Sequence, residues 1–205
     1  MARPERRSNQ ERREQSIELV LAASLQQFVT RGYAGTSIDD IARAAKLTKG
    51  AVYFYFRGKS ALLIELLSQS SVLYSSIFER MNHSGEGAAR QLEMFVEWAA
   101  DVGAKNSELL LLPILMSIEF NGRDAEVEQA LERLYDRYHD EMERVVVLGQ
   151  ETGEFNDSLS PREEAAVLVA FTDGMLLEWI RRSRRLDGAR LVQSAKALIS
   201  GGLRK

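Results

Sequence analysis

The chain has 205 residues, no cysteine, and 27 Lys and Arg against 30 Asp and Glu. That length suits one large or two small domains with a real core, and the missing cysteine excludes a disulfide frame and a thiolate metal cluster. The near-neutral total hides an asymmetry. Residues 1–60 carry 11 Lys and Arg against 6 Asp and Glu, whereas residues 61–205 carry 16 against 24. A basic front and an acidic back suggest a front that meets a polyanion.

No targeting segment is read. Glu18, Gln26 and Gln27 interrupt the apolar stretch Ser16–Val29, and the most apolar run, Leu109–Ile118, contains Pro113 and is too short to span a bilayer. The expectation is a soluble, cytoplasmic protein with no membrane partner.

The pattern predicts helix almost throughout, because alternating runs are scarce and prolines are few. The arm "ARPERRSNQERR" reads as a solubilising tail, with a minor-groove arm as the alternative. A first helix is expected over Arg12–Thr30, with Ile17, Leu21, Ser24 and Phe28 on one face and Gly32 as its stop. Two very short helices follow, then a long helix from Lys59 towards Met81. "NHSGEG", Asn82–Gly87, is the linker candidate. Further helices are expected at Ala88–Ala104, Ser107–Phe120, Asp124–Gln150, Pro161–Arg182 and Ala189–Ser200. "SPRE" at Ser160–Glu163 reads as a capping box with proline at the first helical position. Pro113 is expected to kink its helix. "RRSRR" at Arg181–Arg185 ends a helix, where cations offset the dipole.

The stretch "GAVYFYF", Gly50–Phe56, admits a strand or a helix. A strand there has no partner nearby and would leave its backbone unpaired. As a helix it puts Val52 and Phe56 on one inner face, four residues apart. Upstream, Ser37 and Asp40 form an aspartate variant of the capping box, and Ile38, Ile41, Ala42 and Ala45 share a buried face. Leu47 tucks inward and Thr48 caps the second short helix. Two helices of about eight residues joined by a tight turn form a helix-turn-helix whose second helix enters the major groove. Gly50 and Ala51 let the backbone approach base edges and thymine methyls. Tyr53 and Tyr55 offer hydroxyls to phosphates, Lys49 reaches a base edge or a phosphate, and Lys59 is read as a phosphate clamp.

"TSIDDIARAAKLTKGAVYFYFRGKSALL", Thr36–Leu63, resembles the DNA-binding signature of the TetR (tetracycline repressor) family, and "AASLQQFVTRGYAGTS" resembles its lead-in. The resemblance covers about residues 12–72. It implies that Ser37 and Thr48 sit at helix starts near phosphates, that Lys49, Gly50, Ala51, Tyr53 and Phe54 face the groove, and that Tyr55 and Lys59 lie at the DNA backbone. Tyr55 stands where many members have histidine.

The catalytic search finds no nucleophile motif, dinucleotide loop or third ligand beside His139 and Glu143, so neither an enzyme, a metal nor a cofactor is expected. The Pro161 helix is apolar nearly all round from Ala165 to Ile180, and such a helix must be covered on all sides. TetR-like proteins use their last two helices as a four-helix dimer interface, which implies a homodimer through Leu168, Phe171, Met175, Leu177, Leu191, Ala195 and Leu198. Met94, Phe95, Trp98, Leu112, Met116, Phe120, Tyr138, Met142 and Phe171 are bulky and apolar, and read as the lining of an adaptable pocket for a small apolar or aromatic effector. Glu119 is its candidate polar handle, against a surface pairing with Arg123 at i+4.

The reading is therefore all-α. Residues 1–11 form a basic arm, 12–72 a DNA-binding domain with its motif at about 37–56, and 73–205 a helical effector-binding and dimerisation domain. The function expected is a homodimeric repressor released from a palindromic operator in double-stranded DNA. Its competitors are a DNA-binding protein with no effector and a helical small-molecule-binding protein.

Overall fold

The computed structural model describes residues 9–120, 124–182 and 185–203. Among these residues the backbone forms eight α-helices and no strand: α1 Asn9–Arg31, α2 Ile38–Ala45, α3 Lys49–Tyr55, α4 Lys59–Asn82, α5 Ala88–Glu119, α6 Ala125–Glu151, α7 Pro161–Arg181 and α8 Gly188–Leu203. Most of the basic arm, and Arg123, lie outside the described residues. The ambiguous aromatic stretch is helical, with Thr48 accepting from the Ala51 amide at 3.1 Å.

Local chemistry explains the ends. The Ser37 hydroxyl accepts from the Asp40 amide while the Asp40 carboxylate accepts from the Ser37 amide, a reciprocal box that also holds the Asp40 carboxyl below the usual carboxylate range. At the other end of α2, Lys46 is left-handed (φ 57°), which lets the Leu47 amide reach back to the Ala42 carbonyl and tucks Leu47 inward. Ser160 departs from expectation. Its hydroxyl bonds the Glu163 carboxylate and no backbone amide, so the first turn of α7 rests on Pro161 and its acidic residues instead.

The two helices expected at Ala88–Ala104 and Ser107–Phe120 join into α5, with a break at Asn106 (φ −148°, ψ 63°). Non-helical backbone thus falls at Asn106, seven residues before Pro113. Proline lacks the N–H that would bond the Leu109 carbonyl. The buried Ser70 hydroxyl of α4 donates to that carbonyl at 2.7 Å, so the freed acceptor is satisfied across the helix pair. The start of α5 is held by Glu154, from the turn after α6, whose carboxylate accepts the Ala88 and Ala89 amides at 2.9 and 3.0 Å.

Two apolar cores result. The front core joins α1, α2, α3 and the first half of α4 to Leu112, Met116 and Phe120 of α5 and Val127 and Leu131 of α6. The rear core gathers Tyr74, Phe78, Phe95, Trp98 and Tyr138 into one aromatic cluster with ring centroids 5.0 to 6.1 Å apart. Helix α4 runs through both. It is long and apolar enough by composition to cross a membrane, but Leu62, Leu63, Leu66, Leu67, Ile77, Phe78 and Met81 are spent on these cores.

Gly149 of α6 is demanded by packing. A Cβ there would overlap the buried Phe155 ring that closes the α6–α7 corner. Gly149→Ala is therefore expected to destabilise the fold by about 1–3 kcal/mol despite alanine's better helix propensity. Chemical denaturation followed by helicity measures this, and an unchanged or raised midpoint would show that the corner repacks freely.

Candidate functional site

The first site is the outer face of α3. Val52 is completely buried and fastens the helix inward, while Thr48, Lys49, Gly50, Tyr53 and Phe54 are exposed. Phe54, at 78% exposure, has its ring in water apart from an edge contact with Tyr55 at 5.1 Å. Ala51 and Tyr55 are half-buried at the flanks. A Cβ on Gly50 would meet only the Thr48 hydroxyl, at 3.9 Å. Nothing inside the protein requires glycine here.

The cations of this region are engaged in ways the sequence did not reveal. The Lys49 ammonium pairs with Asp39 of α2 at 2.9 Å, on the surface, where such a pair contributes little to stability. Lys59 turns inward. Its ammonium donates to the Tyr33 and Thr36 carbonyls at 2.5 and 2.8 Å and sits 4.0 Å from the Tyr33 ring centroid. Burial pulls its pKa down, opposed by Glu119. An ammonium has three donors, so one remains for a phosphate.

Glu119 departs from the reading as a pocket handle, and Arg123, its expected partner at i+4, lies outside the described residues. Its carboxylate accepts the Tyr33 amide at 2.8 Å and the Ala34 amide at 2.6 Å, in the turn between α1 and α2. A carboxylate from the end of α5 thus holds the turn that leads into the helix-turn-helix.

The second site is a cavity of about 480 Å³ bounded by Tyr74 of α4, the first half of α5, α7 and α8. Of the residues expected to line a pocket, Phe95 and Trp98 do so. Leu112, Met116 and Phe120 belong to the front core, Tyr138 is wholly buried in the aromatic cluster, Met142 is buried in the rear core, and Met94 packs at its edge. Neither Glu119 nor Phe171 lines the cavity. The missed residues are of two kinds: large ones, such as Tyr74, Leu176 and Trp179, and small ones, Ala99, Ala100, Gly103 and Ala104. For the small ones the signal was present as "AADVGA", because short side chains leave space in a helical layer.

Asp173 of α7 supplies a half-buried carboxyl to the cavity. It accepts from the Tyr135 hydroxyl at 3.2 Å, and burial raises its pKa from 3.8 to about 6. Tyr74, Tyr135 and Tyr138, all close to it, have their pKa values raised by burial first and by this carboxylate second or third.

The residues expected at a dimer face divide. Leu168 and Ala195 are buried within the chain, and Met175 and Leu191 line the cavity. Phe171 and Leu177 are half-buried, and Leu198 is 64% exposed, with Val167 also open at 60%.

Residues 20–66 match the model of the bacterial regulatory proteins of the tetR family, and residues 88–204 match that of the C-terminal part of BetI-type transcriptional repressors. The chain is 26% identical over 190 residues to the HTH-type transcriptional regulator AcrR of Shigella flexneri, covering 91% of this chain and 86% of that protein. It is 28% identical over 161 residues to the HTH-type transcriptional repressor DhaR of Mycobacterium sp. strain GP1, covering 78% and 80%. The MbdR regulator from Azoarcus sp. CIB has a similar crystal structure, at TM-score 0.83 and 34% identity over 93% of this chain and 100% of that one. FadR of Bacillus subtilis, solved with stearoyl-CoA, shares the fold at TM-score 0.75 and 19% identity, covering 91% and 99%. AibR, solved with isovaleryl coenzyme A and operator DNA, shares it at TM-score 0.74 and 18% identity, covering 90% and 97%.

Lys59→Ala removes two charge-assisted hydrogen bonds and a cation–π contact, and should lower the unfolding free energy by about 1–2 kcal/mol. Denaturant titration without DNA measures it, and no loss would mean that water replaces the ammonium at no cost. For Asp173 the folded pKa exceeds the unfolded one, so the folded state holds the proton more tightly. Its contribution to stability is fully present below about pH 4 and is lost as pH rises through about 6. Asp173→Asn should remove that loss, so the difference in unfolding midpoint between wild type and variant should change between about pH 4 and 7.5. A constant difference would contradict the assigned shift.

Proposed function

The chain belongs to the tetR family of bacterial regulatory proteins and is a helix-turn-helix transcriptional regulator, and from that premise we propose that it is a homodimeric repressor, released from a two-fold symmetric operator by a small, largely apolar effector. It acts by binding, without a catalytic step, on double-stranded DNA in the cytoplasm. The observation that carries the DNA part is the open face of α3, where Gly50, Tyr53 and Phe54 are exposed rather than spent on the core. The residues proposed to face the groove are Lys49, Gly50, Ala51, Tyr53 and Phe54. Ser37, Thr48, Tyr55 and the spare donor of Lys59 are proposed to meet the DNA backbone.

Dimerisation is supported by what α7 and α8 leave uncovered. From Phe171 onward α7 is half-covered by its own chain, and Val167 and Leu198 are large apolar side chains in water. A second copy covers both helices at once, and two-fold symmetry then sets two α3 helices one turn of DNA or more apart, about 34 Å or beyond. The cavity supports an effector. Acyl-coenzyme A thioesters in FadR and AibR support a ligand role for this part of the fold, and at 19% and 18% identity they do not carry the molecule across.

Selection from random duplex DNA should return an inverted repeat. Substituting Lys49 or Ala51 should change the preferred sequence, whereas Lys59→Ala should weaken all duplexes alike and flatten the salt dependence by about one unit. A preference altered by Lys59→Ala at full affinity would reverse these roles. Leu177→Glu and Leu198→Glu should give monomers that bind the operator weakly, as sedimentation and gel shift would show. A folded monomer with undiminished operator affinity would contradict the dimer.

A further inference from the structure

The charge and chemistry of the cavity narrow what it takes, on the reading that it is the effector site. Among the described residues lining it are four large aromatics, Tyr74, Phe95, Trp98 and Trp179, and two acidic residues, Asp173 and Glu97. No Lys, Arg or His is among them. The two carboxylates differ. Glu97 is already answered by Arg90 and Lys196, which hold its pKa down at about 2, so it presents a neutralised group. Asp173 has a neutral partner, the Tyr135 hydroxyl, and no ion pair among the described residues.

A carboxylate withdrawn from water without a counter-charge is costly, and an arriving cation removes that cost. Aromatic rings border the cavity beside this carboxyl. The Tyr74 and Trp98 rings pack 5.3 Å apart, and those of Phe95 and Trp98 5.4 Å apart, with Tyr74 near enough to Asp173 to feel its charge. Ring faces carry negative potential and attract ammonium groups, quaternary ones included. An anionic ligand meets the opposite: a carboxylate, electron-rich rings and, among the described lining residues, no basic side chain, with Arg90 and Lys196 already paired to Glu97. A neutral apolar ligand satisfies the rings but leaves the half-buried Asp173 carboxylate without a counter-charge. The volume, about 480 Å³, falls in the range of small-molecule sites.

We propose that this cavity binds a lipophilic organic cation, an aromatic or aliphatic body bearing a tertiary or quaternary ammonium, with its charged centre against Asp173 and the faces of Tyr74 and Trp98. Glycine and alanine along α5, at Ala99, Ala100, Gly103 and Ala104, make room for the apolar body.

The test is calorimetry on the full chain without DNA, at pH 7.5, where Asp173 is mainly ionised. The probes are a series of alkyl and benzyl trimethylammonium ions, the uncharged isostere of benzyltrimethylammonium in which carbon replaces nitrogen, and benzoyl-coenzyme A. At least one cation should bind, with its neutral isostere weaker by about tenfold or more and the thioester weaker still. Asp173→Asn should weaken the cation about tenfold or more and leave the neutral isostere unchanged. Trp98→Leu should weaken the cation about threefold or more. Both variants should keep wild-type helicity and operator binding.

The proposal is overturned if no cation in the series binds, if the isostere or the thioester binds as tightly, or if Asp173→Asn leaves cation affinity intact. A gel shift with operator separates this from the effector reading. A cation that binds without releasing DNA ends the effector reading and keeps the cation site. Release by the neutral or anionic probe alone keeps the effector reading and ends the cation site.

Discussion

The position of the helix-turn-helix depends on how one turn, Gly32–Thr36, is gripped from two sides. Gly32 has φ +73°, a conformation that ends α1 and presents the next two amides outward together. The Glu119 carboxylate takes both amides, and the Lys59 ammonium takes the carbonyls of Tyr33 and Thr36. Between them the Tyr33 ring lies against Phe28 at 5.4 Å and Phe120 at 4.6 Å, which anchors the turn to the front core. Five residues of irregular backbone are thereby fixed by an anion from α5 and a cation from α4. Both charges are hydrogen-bonded to dipoles, and their mutual attraction adds a modest further term.

That arrangement makes the boundary between a DNA-binding unit and a rear unit a matter of degree. The front core includes Leu112, Met116 and Phe120, which belong by sequence to the second half of the chain. The same segment satisfies its proline-freed carbonyl through Ser70 of α4. The end of α5 is therefore part of the platform on which α1 to α3 sit, while its beginning, capped by Glu154, belongs to the rear core.

Local chemistry was legible in the sequence. The caps at Ser37 and Thr48, the inward Val52, the start of α4 at Lys59 and the separate halves of α5 follow from patterns within a few residues. Long-range partners were not. Glu119 meets amides 85 and 86 residues away, and no spacing rule reports such a partner, so its neighbour at i+4 dominated the reading. Lys59 looked like a free cation because the carbonyls it binds belong to backbone, which carries no residue identity. Bulk misled at the cavity. Met116, Phe120 and Tyr138 fill space, and a run of small residues leaves it, a distinction that appears only when helices are set side by side. The same holds for Leu168 and Ala195, whose apolar character could not say which of two covered faces they served.

In the proposed switch, the break at Asn106 decides which helix links the two sites. The cavity-lining residues of α5 fall before it, apart from Leu110, and Glu119 falls after it, so the helix axis is interrupted between ligand and turn. The interrupted helix therefore does not carry a displacement of its first half to Glu119 as one straight rod. Helix α4 has no such break. Its Tyr74 lines the cavity and its Lys59 holds the turn, fifteen residues apart on one helix, or about 22 Å. Ser70, between them, ties this helix to α5 beyond the break. A ligand that tilts α4 through Tyr74 thus moves Lys59 and the second limb of α5 together, and the turn gripped by Lys59 and Glu119 moves with both. The charged grip that fixes the recognition helix is, by this geometry, also the point at which α4 acts on it.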